Sequence, residues 1–80
     1  MTRDEIRETV LRTLVRFAPE VDPTRIPPDA NLREELDLDS MDFLNFAIAL
    51  HEALRVEIPE ADYPKLATLD GCIDYLVSRA

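Results

Sequence analysis

Eighty residues, 46% apolar and 32% charged, suit one small domain spanning residues 1–80. A chain of this size has little room for a deep, water-excluding catalytic cleft, which favours a carrier, binding or regulatory module over an independent enzyme. The net charge of -8 is uneven. Residues 1–33 hold six acids and six bases, and residues 34–80 hold eleven acids and three bases. The acidic half repels nucleic-acid phosphates and anionic membranes and steers toward basic protein surfaces. Cys72 is the only cysteine, so an internal disulfide and a cysteine zinc cluster are both excluded, and it reads as a small buried apolar residue.

The N-terminal stretch "MTRDEIRETV" is charged throughout and has no apolar targeting core. No stretch reaches the roughly 18 apolar residues of a membrane span. The expected location is cytoplasmic, with no membrane insertion, and the expected state is monomeric.

A first helix is expected over residues 3–18. Ile6, Val10, Leu14 and Phe17 form one apolar stripe at spacings of four, four and three. Thr2 and Glu5 fit a capping box, with Met1 placed to staple onto Ile6. Arg3, Arg7, Arg12 and Arg16 interleave with acids on a solvated outer face. Pro19 stops this helix. Pro23, Pro27 and Pro28 then hold residues 19–35 in a long ordered loop, anchored by Val21, Ile26 and Leu32.

The second helix is expected from Ser40 to about Leu54. Asp39 is a good N-cap, Asp42 stands at the third helical position, and both suit the positive end of the helix dipole. Phe43, Phe46, Ala47, Leu50 and Leu54 share the core face, while Asp42, Asn45, Ala49 and Glu52 make a narrow polar one. Met41, Leu44 and Ile48 form a second apolar stripe beyond the first. A bundle helix needs only one. The extra stripe either packs under the proline loop or is an exposed docking surface, apolar in the middle with charge at its edge.

Further on, "VEIPEADYPKLATL" reads as a short turn of helix opened by Pro59 and ended by Pro64. Thr68 caps a last helix running to about Ser78, with Leu69, Ile73, Leu76 and Val77 inward. There is no strand alternation and no repeat. The fold class is therefore all-α: a small four-helix bundle, three main helices plus one short one, with a long loop between the first two.

"LDLDSMDF" resembles the D-S-L-[DE] attachment signature of acyl carrier proteins, with methionine for leucine. "HEALRVEIPEADYPKLATLDGCIDYL" resembles that family's long-helix end, "IP" turn, short third helix and fourth helix. The resemblance covers nearly the whole chain. It implies an acyl-carrier-like fold and a non-catalytic carrier with covalent 4′-phosphopantetheine, installed from coenzyme A by a phosphopantetheinyl transferase. The attachment residue would be Ser40. Asp39, Met41, Asp42, Leu44, Ile48 and Glu52 match partner-contact positions, facing acyl-loading and acyl-processing enzymes with basic docking surfaces. The implied cargo is an acyl intermediate of fatty acid, polyketide or related lipid biosynthesis. An aminoacyl or peptidyl carrier is the lesser alternative, and a helical adaptor without a prosthetic group is another.

The chain departs from the family at Asp37, where many members have glycine, a residue that tolerates unusual dihedrals. Asn45 and His51 stand where acids are common, so the recognition helix is less acidic than in carriers of fatty acid synthesis. Phe43 and Phe46 are bulky for a helix lining an acyl-chain cavity. Together these point to a specialised carrier rather than a housekeeping one. Two other chemistries fail on spacing. An EF-hand opening at Asp37 would need glycine at its sixth position and glutamate at its twelfth, where Asp42 and Ile48 stand. The lone His51 is eleven residues from Ser40, so a Ser–His nucleophile pair is unsupported.

Overall fold

The computed structural model describes all of residues 1–80. Its regular elements are helical: α1 (Arg3–Phe17), α2 (Leu32–Glu35), α3 (Ser40–Leu54) and α4 (Leu69–Arg79), with 3-10 segments at Pro23–Arg25 and Glu60–Leu66. There is no strand, only an isolated antiparallel bridge between Asn31 and Thr68. No helix is long and apolar enough to cross a membrane.

α1 opens on the expected capping box. Glu5 N–H donates to Thr2 Oγ1 at 3.1 Å, and Thr2 N–H donates to Glu5 Oε1 at 2.9 Å. These hydrogen bonds to Thr2 hold the Glu5 carboxyl below its usual range. The staple is absent as a burial device, because Met1 stands 68% exposed. Ile6, Val10 and Leu14 carry the inner face, and each is buried. Burial of such a side chain contributes about 1.5–3 kcal/mol. α1 packs against α3 and α4, and Arg3 reaches Asp74 of α4 at 2.6 Å.

The segment between α1 and α3 is anchored as expected by Ile26 and Leu32, both buried, and by half-buried Val21. It is not all loop, because it contains α2. It is also tied laterally. Leu32 N–H donates to the Ala67 carbonyl at 2.7 Å, and Asp70 N–H donates to the Pro28 carbonyl at 2.9 Å. These bonds hold the proline-rich stretch against the start of α4.

Three other expectations are corrected. Pro64 lies inside the 3-10 helix Glu60–Leu66, and Pro59 precedes it as cap. The run tolerates Pro64 because its turns close on either side, from Asp62 N–H to the Pro59 carbonyl at 2.8 Å and from Ala67 N–H to the Pro64 carbonyl at 3.3 Å. On α4, Val77 is 39% exposed, and Cys72 and Tyr75 are buried beside Leu69, Ile73 and Leu76. The inner arc of α4 includes the side facing the 3-10 helix Glu60–Leu66, where the Tyr75 hydroxyl donates to Asp62 Oδ2 at 2.6 Å. Ala49 is buried rather than part of a polar strip, its methyl being short enough for longer neighbours to cover. Gly71 fits a tight junction between the 3-10 helix Glu60–Leu66 and α4. A Cβ there would stand 2.9 Å from Thr68 Oγ1 and 3.1 Å from the Lys65 carbonyl oxygen.

One core of 19 buried residues runs from Ile6 to Leu76. Within it Phe43 and Phe46 pack with ring centroids 6.0 Å apart, tilted by 51°, Phe46 fully buried and Phe43 at the core's edge. Cys72 is fully buried, and burial pushes its thiol up to about 12.

Candidate functional site

α2 is four residues long, yet it sets the site. Asn31 caps it, accepting from Glu34 N–H at 3.1 Å. Its C-terminus turns over through Asp37, which adopts φ 53° in the left-handed region. Leu38 N–H reaches back to the Arg33 carbonyl at 2.9 Å, closing a Schellman-type turn. The glycine-like demand at position 37 is therefore real. Aspartate meets it because its short polar side chain tolerates this region better than most.

The reversal delivers the chain to α3 at Asp39. Asp42 N–H donates to Asp39 Oδ1 at 2.8 Å, and Asp39 N–H donates to Asp42 Oδ2 at 3.4 Å. Both aspartates thus take part in a capping box. Ser40 is the first residue of α3, and it is exposed. The backbone N–H groups of Ser40 and Met41 have no protein acceptor, as first-turn amides of a helix do not unless capped. The hydroxyl accepts one contact, from Arg33 Nη2 at 3.2 Å.

The other predicted positions lie along α3. Met41 is 61% exposed, Ile48 is 41% exposed and Leu44 is half-buried between them. The proline-rich segment does not cover them. Asp42 is half-buried, and Asp39 and Glu52 are exposed. These residues form a strip running from the Ser40 turn toward the far end of the helix. His51 lies about 16 Å of helix rise beyond Ser40. Its Nδ1 stands 2.8 Å from the Val56 carbonyl oxygen. That oxygen can only accept, so the ring donates there and helps close the end of α3, where Arg55 is also left-handed with φ 56°. Histidine and serine are not brought together.

Arg33 was missed in the sequence. A shallow groove of about 320 Å³ adjoins it, lined by Asn31, Arg33, Phe43, Tyr63, Pro64 and Ala67.

An exposed helix-start hydroxyl, with free amides and a cation beside it, can accept and hold a phosphate-linked group. Residues 9–76, which include this turn, match the family described as the phosphopantetheine attachment site. The chain is 34% identical over 80 residues to an acyl carrier protein of Rubrobacter xylanophilus, covering 99% of this chain and 96% of that one. The chain belongs to the acyl carrier protein family.

It is also 32% identical over 79 residues to the mitochondrial acyl carrier protein 2 of Arabidopsis thaliana, covering 99% of this chain and 62% of that protein's length. Among solved structures, an acyl carrier protein from Enterococcus faecalis superposes with a TM-score of 0.86 at 25% identity over the full length of both chains. The cofactor of this carrier is covalently attached 4′-phosphopantetheine, and the residues of the α3 start fit it: an accessible hydroxyl, unpartnered amides and a guanidinium. Members of the family are loaded by a phosphopantetheinyl transferase and work with biosynthetic enzymes.

Proposed function

We propose that Ser40 carries the 4′-phosphopantetheine arm and that the chain, without catalysing a reaction itself, presents acyl intermediates to partner enzymes. The observation that carries this reading is the placement of Ser40. Its hydroxyl is fixed on the first residue of a 15-residue helix, exposed to an incoming enzyme. The attached group supplies a terminal thiol that holds the acyl chain as a thioester. The protein supplies a rigid base and a surface.

That surface is the strip of Met41, Leu44 and Ile48, with Asp39, Asp42 and Glu52 at its edges. Exposed apolar side chains rimmed by acids suit a partner patch of apolar residues ringed by Lys and Arg. The capping bonds use one oxygen of Asp39 and one of Asp42, so each carboxylate keeps another for a partner. Asn45 and His51 weaken the charge of this helix. Selection by shape and apolar contact then outweighs charge attraction, which supports a specialised carrier in fatty acid, polyketide or related lipid biosynthesis. Phe46 is fully buried and Phe43 nearly so. Their bulk disfavours a long chain folded into the core, so the cargo is short, or lies along the surface grooves.

The test is intact mass after incubation of the apo chain with coenzyme A and a phosphopantetheinyl transferase, beside Ser40→Ala. The expected result is a gain of one phosphopantetheine that the variant lacks. The same gain in Ser40→Ala, or none in the wild type with the source organism's own transferase, would overturn the assignment.

A further inference from the structure

We infer that Arg33 is a positioning residue that holds the phosphate of the arm and restrains its first bonds against the α2–α3 corner. The inference rests on the assignment of Ser40 as attachment residue. Arg33 forms no ion pair, although Glu34, Asp37 and Asp39 are close in sequence. Its Nη2 donates instead to Ser40 Oγ at 3.2 Å, and no other arginine in the chain donates to a hydroxyl.

This contact is not a helical neighbour relation. Residues seven apart are joined here by the left-handed turn at Asp37, which folds α2 back beside the start of α3. The backbone of Arg33 is fixed by the same turn, because its carbonyl accepts the Leu38 N–H at 2.9 Å. A guanidinium on a fixed backbone thus stands 3.2 Å from the hydroxyl that receives the group.

Loading changes what Arg33 faces. Oγ becomes an ester oxygen and a poorer acceptor, and a phosphodiester with one negative charge is placed directly beyond it. A guanidinium pairs with phosphate through two parallel N–H bonds, and these charge-assisted bonds are stronger than a bond to a neutral hydroxyl. The free amides of Ser40 and Met41 and the positive end of α3 favour the same charge. Asp39 and Asp42 oppose it, and Arg33, the cation in contact with Ser40, offsets them at this spot. Since Arg33 also lines the groove with Phe43 and Tyr63, an arm held at its phosphate starts from the mouth of that groove rather than swinging freely.

The experiment uses the full chain in apo and holo forms, with loading verified by intact mass. Arg33 guanidinium signals are recorded by ¹H–¹⁵N NMR and the phosphodiester by ³¹P NMR, in wild type, Arg33→Gln and Arg33→Lys. Loading is expected to shift and sharpen the Arg33 signals. Arg33→Gln is expected to shift and narrow the ³¹P line as the arm gains motion, with partial recovery in Arg33→Lys, which restores charge but not the fork. High salt should move the wild-type ³¹P signal toward that of Arg33→Gln. A loaded wild type whose Arg33 signals are unchanged, with a ³¹P line identical in all three chains, overturns the inference and leaves Ser40 intact. A chain that takes no arm at Ser40 removes both.

Discussion

α3 has two apolar faces in opposite surroundings. On the inner face Phe43, Phe46, Ala47 and Leu50 are buried against the rest of the core. On the outer face Met41 and Ile48 are exposed, with Leu44 half-covered. Residue type does not separate the two groups. What separates them is where the proline-rich segment goes. Its bonds to Ala67 and Asp70 hold it beside α4, and the outer stripe is left open. The comparison teaches that one helix can place its stability on one side and leave the other open for the proposed docking surface, provided that its neighbours are tied elsewhere.

The division can be broken hardest at Phe46. Phe46→Ala removes a fully buried ring and is expected to cost about 3–5 kcal/mol, a large share of the roughly 5–15 kcal/mol typical of a small domain. Urea denaturation of the apo chain measures it. Under folding conditions the variant should still gain one phosphopantetheine, since Ser40 is positioned by the turn and cap at the start of the helix. Loss below about 1 kcal/mol would mean that the inner face is not what supports the helix.

A smaller effect is expected where the two faces meet, at the cap. Asp39→Ala removes the acceptor for Asp42 N–H and should cost about 1 kcal/mol. Because the same carboxylate edges the proposed docking strip, loading by the transferase should also slow. Asp39→Asn separates the roles: it keeps an N-cap acceptor and removes the charge. Stability close to wild type with slowed loading is the expected outcome for Asn. Equal destabilisation by Ala and Asn would show that the carboxylate charge, rather than the cap bond, supports the turn.

Much of this organisation was legible from sequence because it is carried by local chemistry. The span Ser40–Leu54 follows from the D-S-M-D cap and two interleaved apolar stripes, and both ends agree with the structure. α2 was hidden, because four residues are too few for periodicity and the prolines around them dominate the reading. One signal was available: Asn31 followed three residues later by Glu34 has the N-cap spacing that the structure uses. Without α2 the turn at Asp37 had no helix to end, and Arg33 could not be placed beside Ser40. Val77 failed for another reason. Periodicity gives an arc but not its centre, and on α4 the centre is set by tertiary packing, where Tyr75 is buried and bonds to Asp62.

The smallest expected change in stability falls on the outer stripe, and there the comparison is sharpest. Met41→Ser with Ile48→Ser shortens two exposed side chains that are not members of the buried core. Stability by urea denaturation should stay within about 0.5 kcal/mol of wild type. Docking should not stay level. If the stripe is the apolar centre of the proposed interface, losing it should cost about 1–2 kcal/mol, which is roughly a five- to thirtyfold rise in the transferase's KM for the chain. Salt separates this from steering. The acids at the rim are unchanged, so wild type and variant should lose affinity in parallel as ionic strength rises. An unchanged KM would return the second stripe to an accident of composition. A fall in stability instead would show that the outer face supports the fold after all. Neither result is expected of a helix whose core side is already filled by Phe43, Phe46 and Leu50.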